Sequence, residues 1–368
     1  MEVALQNLLS PVILFFLLGM IAGLFRSCLT IPEALSKSVS LYLMMAIGFK
    51  GGVELSQSGL DTSILAAVIV ATGLSALLPF IAYALLRNAT GIDPTNAAAI
   101  AAHYGSVSVV TFAAAIAVLN HQGLPFEPYM VALLAVMEAP AILTGLYLAR
   151  RGTRAPSSGS SSAFARGVMS EVLLHGSVVL LLGSFAIGWL TGPKGLQEMG
   201  AVFVQPFKGV LCVFLLDMGL IVARKFGDLR LVGVRVMAFG IYMPLLGGSI
   251  GLAAAALLGL SPGGATLLAV LSASASYIVV PAVMRTALPQ ASPAIYATLA
   301  LVITFPFNLL VGIPLYTGAA RALAEARGGG LALVQAAAPA TATLASLAGG
   351  TMPVDPLAAP CGSGQAAR

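Results

Sequence analysis

Apolar residues in this chain do not alternate with polar ones; they gather into long runs rich in Leu, Ala and Gly, separated by short polar connections. A membrane-crossing helix needs about 20 mainly apolar residues. Ten runs approach that length, at 8–25, 34–53, 63–86, 95–119, 129–148, 168–190, 202–222, 231–258, 264–283 and 294–317. Strands of a membrane barrel would appear as short alternating segments instead. The pattern predicts an all-α polytopic membrane protein of ten transmembrane helices. Residues ahead of the first run, Met1, Glu2 and Gln6 among them, lack the basic cluster of a cleaved signal peptide, so that run is read as the first span.

Composition agrees with the pattern. Hydrophobic residues make up 59% of the 368 and charged residues 8%, against about 25% charged in soluble domains, which excludes a soluble enzyme. The formal net charge of +5 comes from basic residues that flank the runs and does not imply a nucleic-acid partner. Connections after odd-numbered runs hold Arg26, Arg87, Arg150, Arg151, Arg154, Arg166, Arg224, Lys225, Arg230 and Arg285, whereas those after even-numbered runs hold little besides Lys194. Basic residues near span ends stay in the cytoplasm, so the odd connections are cytoplasmic and both termini lie outside. Cys28, Cys212 and Cys361 are too scattered for a disulfide framework or a zinc site.

The Ser- and Gly-rich segment 150–166 reads as a flexible cytoplasmic linker. It separates a first five-helix repeat, 1–149, from a second, 167–320. Residues 321–368, low in charge and rich in Ala, Gly, Thr and Pro, read as a largely disordered low-complexity tail. Sliding the chain against itself by about 170 residues lays Ala46, Ile47 and Gly48 on Asp217, Met218 and Gly219, and 106–111 on 276–281. With five spans per half, the second copy enters the membrane in the opposite sense, so the repeats are inverted.

The fourth and ninth runs carry the residues least suited to lipid: His103, Tyr104, Gly105, Ser106 and Ser108 in one, Ser272, Ser274, Ser276, Tyr277 and Pro281 in the other. Clustered Gly and Ser weaken a helix, and proline removes an amide donor. Both runs are therefore expected to be discontinuous. A broken helix frees amides that lipid cannot satisfy, and its half-helix N-terminus attracts anions. Two such ends near the bilayer midplane would make an anion site, with Ser106 or Ser108 capping one and Pro281 in the first turn of the other. The competing reading of these small residues is close helix packing.

Glu138, in Met137-Glu138-Ala139-Pro140 near the middle of the fifth run, is the chief intramembrane carboxylate. With a hydroxyl and carbonyls loosened by Pro140 it would form a hard-oxygen nest for sodium; the alternative is a protonated Glu that ties helices together. Candidate cation ligands are Glu138, Ser108 and Asn308. Asp217 fits a structural or a gating role, and His103 a packing role or a proton relay. No Ser-His-Asp set, phosphate loop or HExxH segment appears, so the usual enzyme and ATP-driven pump signatures are missing.

These residues resemble the sodium-dependent bicarbonate permeases of the cyanobacterial type. The resemblance rests on Ser10-Pro11 into Gly19-Met20, the Ile-Pro-Glu-Ala-Leu-Ser segment at 31–36, Ile47-Gly48 with Gly51-Gly52, and Glu138-Ala-Pro-Ala at 138–141. In the second half it rests on Met218-Gly219, Gly227-Asp-Leu-Arg at 227–230, Ser274 to Ser276, and Ala291-Ser-Pro-Ala-Ile-Tyr at 291–296. It implies a sodium-coupled symporter of bicarbonate in the bacterial inner membrane. A gate part (spans one, two, six and seven) would move against a core part. It also implies a homotrimer and a PII-like cytoplasmic regulator. The anion site would comprise Gly105, Ser106, Ser108, Thr111, Ser274, Ser276 and Tyr277, with Glu138 replacing a family Asp beside sodium. Val109-Val110, Tyr277 and Val279-Val280 depart from the family pattern toward apolar character, which suits another small anion such as a monocarboxylate. A non-transporting membrane receptor is the rival from another class.

Overall fold

The computed structural model describes residues 10–58, 62–152, 174 and 176–337, and among these every regular element is helical. The chain opens with α1 (Pro11–Leu24) and α2 (Glu33–Ser58). Next comes α3 (Thr62–Leu85), extended by a π turn to Thr90. A helix broken into α4 (Pro94–Gly105) and α5 (Val109–His121) follows, and then α6 (Met130–Val136) runs into α7 (Glu138–Gly152). The second half of the chain begins with α8 (Gly176–Phe203), α9 (Phe207–Lys225) and α10 (Val234–Leu258). It ends with a second broken helix, α11 (Pro262–Ala273) and α12 (Val279–Ala287), and a last run through α13 (Pro293–Thr298), α14 (Phe305–Phe307) and α15 (Ile313–Ala337), joined by π turns.

Six helical stretches among the described residues are long and apolar enough to cross a membrane: Thr62–Thr90, Pro94–His121, Met130–Arg151, Val178–Phe203, Val234–Leu258 and Pro293–Arg327. α1 and α11 are apolar but shorter. Two boundaries differ from the hydrophobic pattern. The connection expected around Lys194 is helical, because Gly192 turns the chain at φ 56° and Pro193 starts the helix again, carrying α8 on to Phe203. The seventh helix accordingly begins at Phe207 rather than at residue 202. At the other end α15 continues past Arg321 to Ala337, so the first part of the expected tail is helical. The linker 153–166 and residues 338–368 lie outside the described residues. By internal contacts the chain divides into units 1–323 and 324–368, and both interruptions lie in the first.

Glycines set how closely the helices approach. A Cβ on Gly19 would run into the carbonyl of Leu216, and one on Gly219 into that of Phe16, so α1 and α9 touch backbone to backbone. Gly52 lies in the same way against Phe185, and Gly188 against Phe49, which seats α2 on α8. Such small-residue contacts replace the hydrophobic drive that lipid cannot supply between helices. Elsewhere α4 packs between α3 and α7, Gly105 fitting against Pro79 and Gly145 against Ala102, while Gly247 and Gly251 of α10 lie on α11. One set of helices is thus α1, α2, α8 and α9; the other holds both broken helices and their neighbours. The membrane-length part of α4–α5 is wholly buried inside the protein, against 28% for that of α8 and 39% for that of α10, so the first interruption sits at the centre of the fold.

Candidate functional site

Both broken helices are built on one plan. α4 starts with Asp93 accepting a hydrogen bond from the Asn96 amide at 2.9 Å and with Pro94 in the first position. α11 starts with Ser261 accepting from the Gly264 amide at 3.1 Å and with Pro262 in the first position. A capping oxygen followed by proline is a strong start signal, since proline gives up only an amide that has no helical partner. The same shift in numbering carries Asp93 to Ser261, Pro94 to Pro262, Gly105 to Ala273 and Ser106 to Ser274. Ser106 (φ −87°, ψ 175°) and Ser274 (φ −83°, ψ 165°) then both turn the chain out of the helix into extended backbone. This register corrects the pairing of 106–111 with 276–281: Ser106 corresponds to Ser274, and Ser108 to Ser276.

The two extended segments meet. The amide of Ser108 donates to Ser274 Oγ at 3.1 Å, and the amide of Ser276 donates to the His103 carbonyl at 2.9 Å. Ser274 Oγ in turn donates to the Leu271 carbonyl at 2.9 Å. Amides freed by each interruption are therefore satisfied by the other, which meets the demand that no backbone group be left unpaired in a membrane interior. At the first interruption Ser108 Oγ also caps α5, accepting from the Thr111 amide at 3.2 Å and from Thr111 Oγ1 at 2.9 Å. The second has no equivalent: Ile278 precedes α12 and supplies no side-chain cap.

Glu138 opens α7 beside this junction. It is 4% exposed and its Oε2 accepts from Ser106 Oγ at 2.7 Å. Among the described residues the salt bridges are Glu33 with Lys37 and Lys50 with Glu54, so Glu138 has no basic partner there. The Met137 carbonyl next to it, expected to be loosened by Pro140, is taken by Ser75 Oγ. A cavity of about 10 Å³, room for roughly one water, is lined by Glu138, Ser108, Ser276 and Tyr277, with Met44 of α2 closing it from the other helix set.

Of the residues expected at the site, Ser108, Ser276, Tyr277 and Glu138 face one cavity. Gly105, Ser106, Thr111 and Ser274 are buried around it and hold its framework. Asn308 departs from expectation. It does not line the cavity but donates from Nδ2 to the Ala273 carbonyl at 2.8 Å, closing the end of α11. Its Nδ2 is fixed by the orphan carbonyl of a helix end, while Oδ1, the atom that would bind a cation, is buried with no partner among the described residues. The pattern missed three further features: the His103 carbonyl as acceptor, Met44 in the cavity wall, and two links between the halves. Ser292 N–H donates to Asn96 Oδ1 at 2.7 Å, and Ser261 donates from N–H and Oγ to Glu127 at 2.7 and 3.1 Å. The repeated cap-and-proline signature at 93–94 and 261–262 was the available signal for the shared starts; nothing local announced the links.

The sequence profile of the Na+-dependent bicarbonate transporter superfamily matches residues 11–321, from the first residue of α1 to within α15. The chain belongs to this superfamily. No curated protein matches it. As a member of a bicarbonate transporter superfamily the chain is a membrane transporter, and the matched region contains both interruptions, Glu138 and every cavity-lining residue.

Proposed function

We propose that the protein is a secondary active transporter that brings bicarbonate into the cell together with sodium. The observation that carries this reading is the buried junction of the two interruptions, where a carboxylate without a basic partner opens onto the same cavity as Ser108 and Ser276. A charged side chain at membrane depth costs about 2.5–3.5 kcal/mol on insertion scales, and a sodium ion beside Glu138 offsets that cost. The start of α5 at the cavity favours an anion through its dipole and remaining free amides. Carrying the two ions together lowers the desolvation cost of each.

The reading takes the chain as ten membrane helices in two inverted five-helix repeats. α1, α2, α8 and α9 form the gate, and the remaining helices form the core. A cavity of about 10 Å³ is too small for bicarbonate, so the helix sets must part to admit it. Met44 belongs to the gate and the other named lining residues to the core, so relative movement of the two sets would expose the site to one side at a time. We extend the reading to a bacterial inner-membrane location with both termini outside, to a homotrimer, and to docking of a PII-like regulator on the cytoplasmic face.

Uptake of labelled bicarbonate into vesicles containing the purified protein, driven by an inward sodium gradient, is the test. Uptake that persists without sodium would overturn the coupling. A second reading, symport of a monocarboxylate, is favoured by the apolar lining residues Met44, Val107, Val109, Ile278 and Val279; formate or acetate would then compete with bicarbonate for uptake. Binding of the anion without flux would favour a receptor.

A further inference from the structure

A second and larger cavity, about 170 Å³, opens between the four-helix set and α5, and its wall carries Lys50, Glu54 and Lys208. Three observations tie it to the junction of the broken helices. On α2, Ile47 lines this cavity and Met44, within one turn of it, lines the small one. On α5, Ile116 lines the larger cavity and Val109, two turns earlier, the smaller. Its lining includes Gln205, in the α8–α9 turn, and Phe126, in the α5–α6 connection. Phe126 follows the fourth run, and Gln205 follows α8, which the sixth run begins; the distribution of basic residues assigns such connections to the outside. The larger cavity therefore lies outside the smaller along the same two helices.

Its charge has a sign. Lys50 Nζ lies 3.6 Å from Glu54 Oε1, whereas Lys208, in the first turn of α9, makes no ion pair among the described residues. Two cations against one carboxylate leave the wall positive. Low-dielectric walls focus such a field and raise the local concentration of counter-ions. Polar Asn120 and Gln205 add hydrogen-bonding groups to an otherwise apolar enclosure, the composition usual for a small-molecule site.

We infer that this cavity is the external antechamber of the transporter, in which Lys50 and Lys208 hold a small oxyanion such as bicarbonate or a short carboxylate before it passes Met44 to the junction. The inference rests on the transport reading above and adds to it a second anion subsite. It predicts that charge in the wall governs anion KM and leaves the sodium requirement alone.

The experiment measures sodium-driven bicarbonate uptake into right-side-out vesicles at low and high ionic strength. At low ionic strength Lys208→Gln and Lys50→Gln each raise KM by about three- to tenfold with kcat and half-saturating sodium unchanged, and the difference shrinks at high salt. Lys208→Arg retains the parental KM. Glu54→Gln lowers KM, in the opposite direction, which a merely structural role for these side chains would not produce. An unchanged KM in both lysine variants, or a rise in KM in all three charge-neutralised variants, would overturn the antechamber while the transport reading stands. Absence of sodium-driven uptake by the parent protein would overturn both.

Discussion

The first interruption is capped by Ser108 and has a carboxylate at its neck, held by Ser106; the second has no side-chain cap, and at its neck is the neutral amide of Asn308, spent on the Ala273 carbonyl. The two halves share a backbone plan down to the residue at which each helix stops, yet divide the chemistry unequally. The two breaks cross and satisfy one another's amides. Of the two necks, the first alone offers a carboxylate. A scaffold can thus stay two-fold while its ion chemistry is one-sided.

Removing the charge at the first neck is the strongest way to break this comparison. Glu138→Gln retains a hydrogen-bond acceptor for Ser106 but loses the carboxylate, and the half-saturating sodium concentration should rise about a hundredfold, from the loss of roughly 2–3 kcal/mol of charged contact. Sodium titration of uptake measures it; an unchanged titration would remove the asymmetry. Asn308→Leu, at the other neck, should instead leave the sodium titration in place and cost about 1–3 kcal/mol of stability by orphaning a buried carbonyl, read as a lower melting temperature in detergent. The caps give a smaller contrast. Ser108→Ala should destabilise by about 1–2 kcal/mol, and Ser276→Ala, whose side chain caps no helix, by much less; equal losses would mean that the second break is capped after all. Two of the other links between halves give a further contrast. Glu127→Ala removes two charge-assisted bonds to Ser261 and should cost more than Asn96→Ala, which removes the single acceptor of the Ser292 amide, the latter by about 0.5–1.5 kcal/mol.

Helix content and both interruptions were legible because they depend on local chemistry: apolar runs, a capping oxygen before proline, and Gly or Ser where the helix stops. Register was not. Val109-Val110 and Val279-Val280 match by eye, and they drew Ser106 onto Ser276, whereas the helix starts at Asp93-Pro94 and Ser261-Pro262 fix Ser106 against Ser274. Glu138 declared itself as a carboxylate in an apolar run. Asn308 was legible only in part, because the sequence does not show that its Nδ2 closes a helix end at Ala273 while its Oδ1 is left without a partner. Long-range partners such as His103 with Ser276, and Glu127 with Ser261, have no signature in a single sequence, since each half of such a pair is an ordinary residue in its own neighbourhood.

The reciprocal bonds of Ser108 and Ser276 carry an implication for how the chain is made. When the ribosome has delivered the first five helices, the Ser108 amide and the His103 carbonyl have no permanent partners, because Ser274 and Ser276 are still to be synthesised. The first half must wait in the membrane with its break wetted or sheltered by the insertion machinery. Its maturation is therefore tied to the arrival of the second half, and a product truncated before α11 should be a client of membrane quality control.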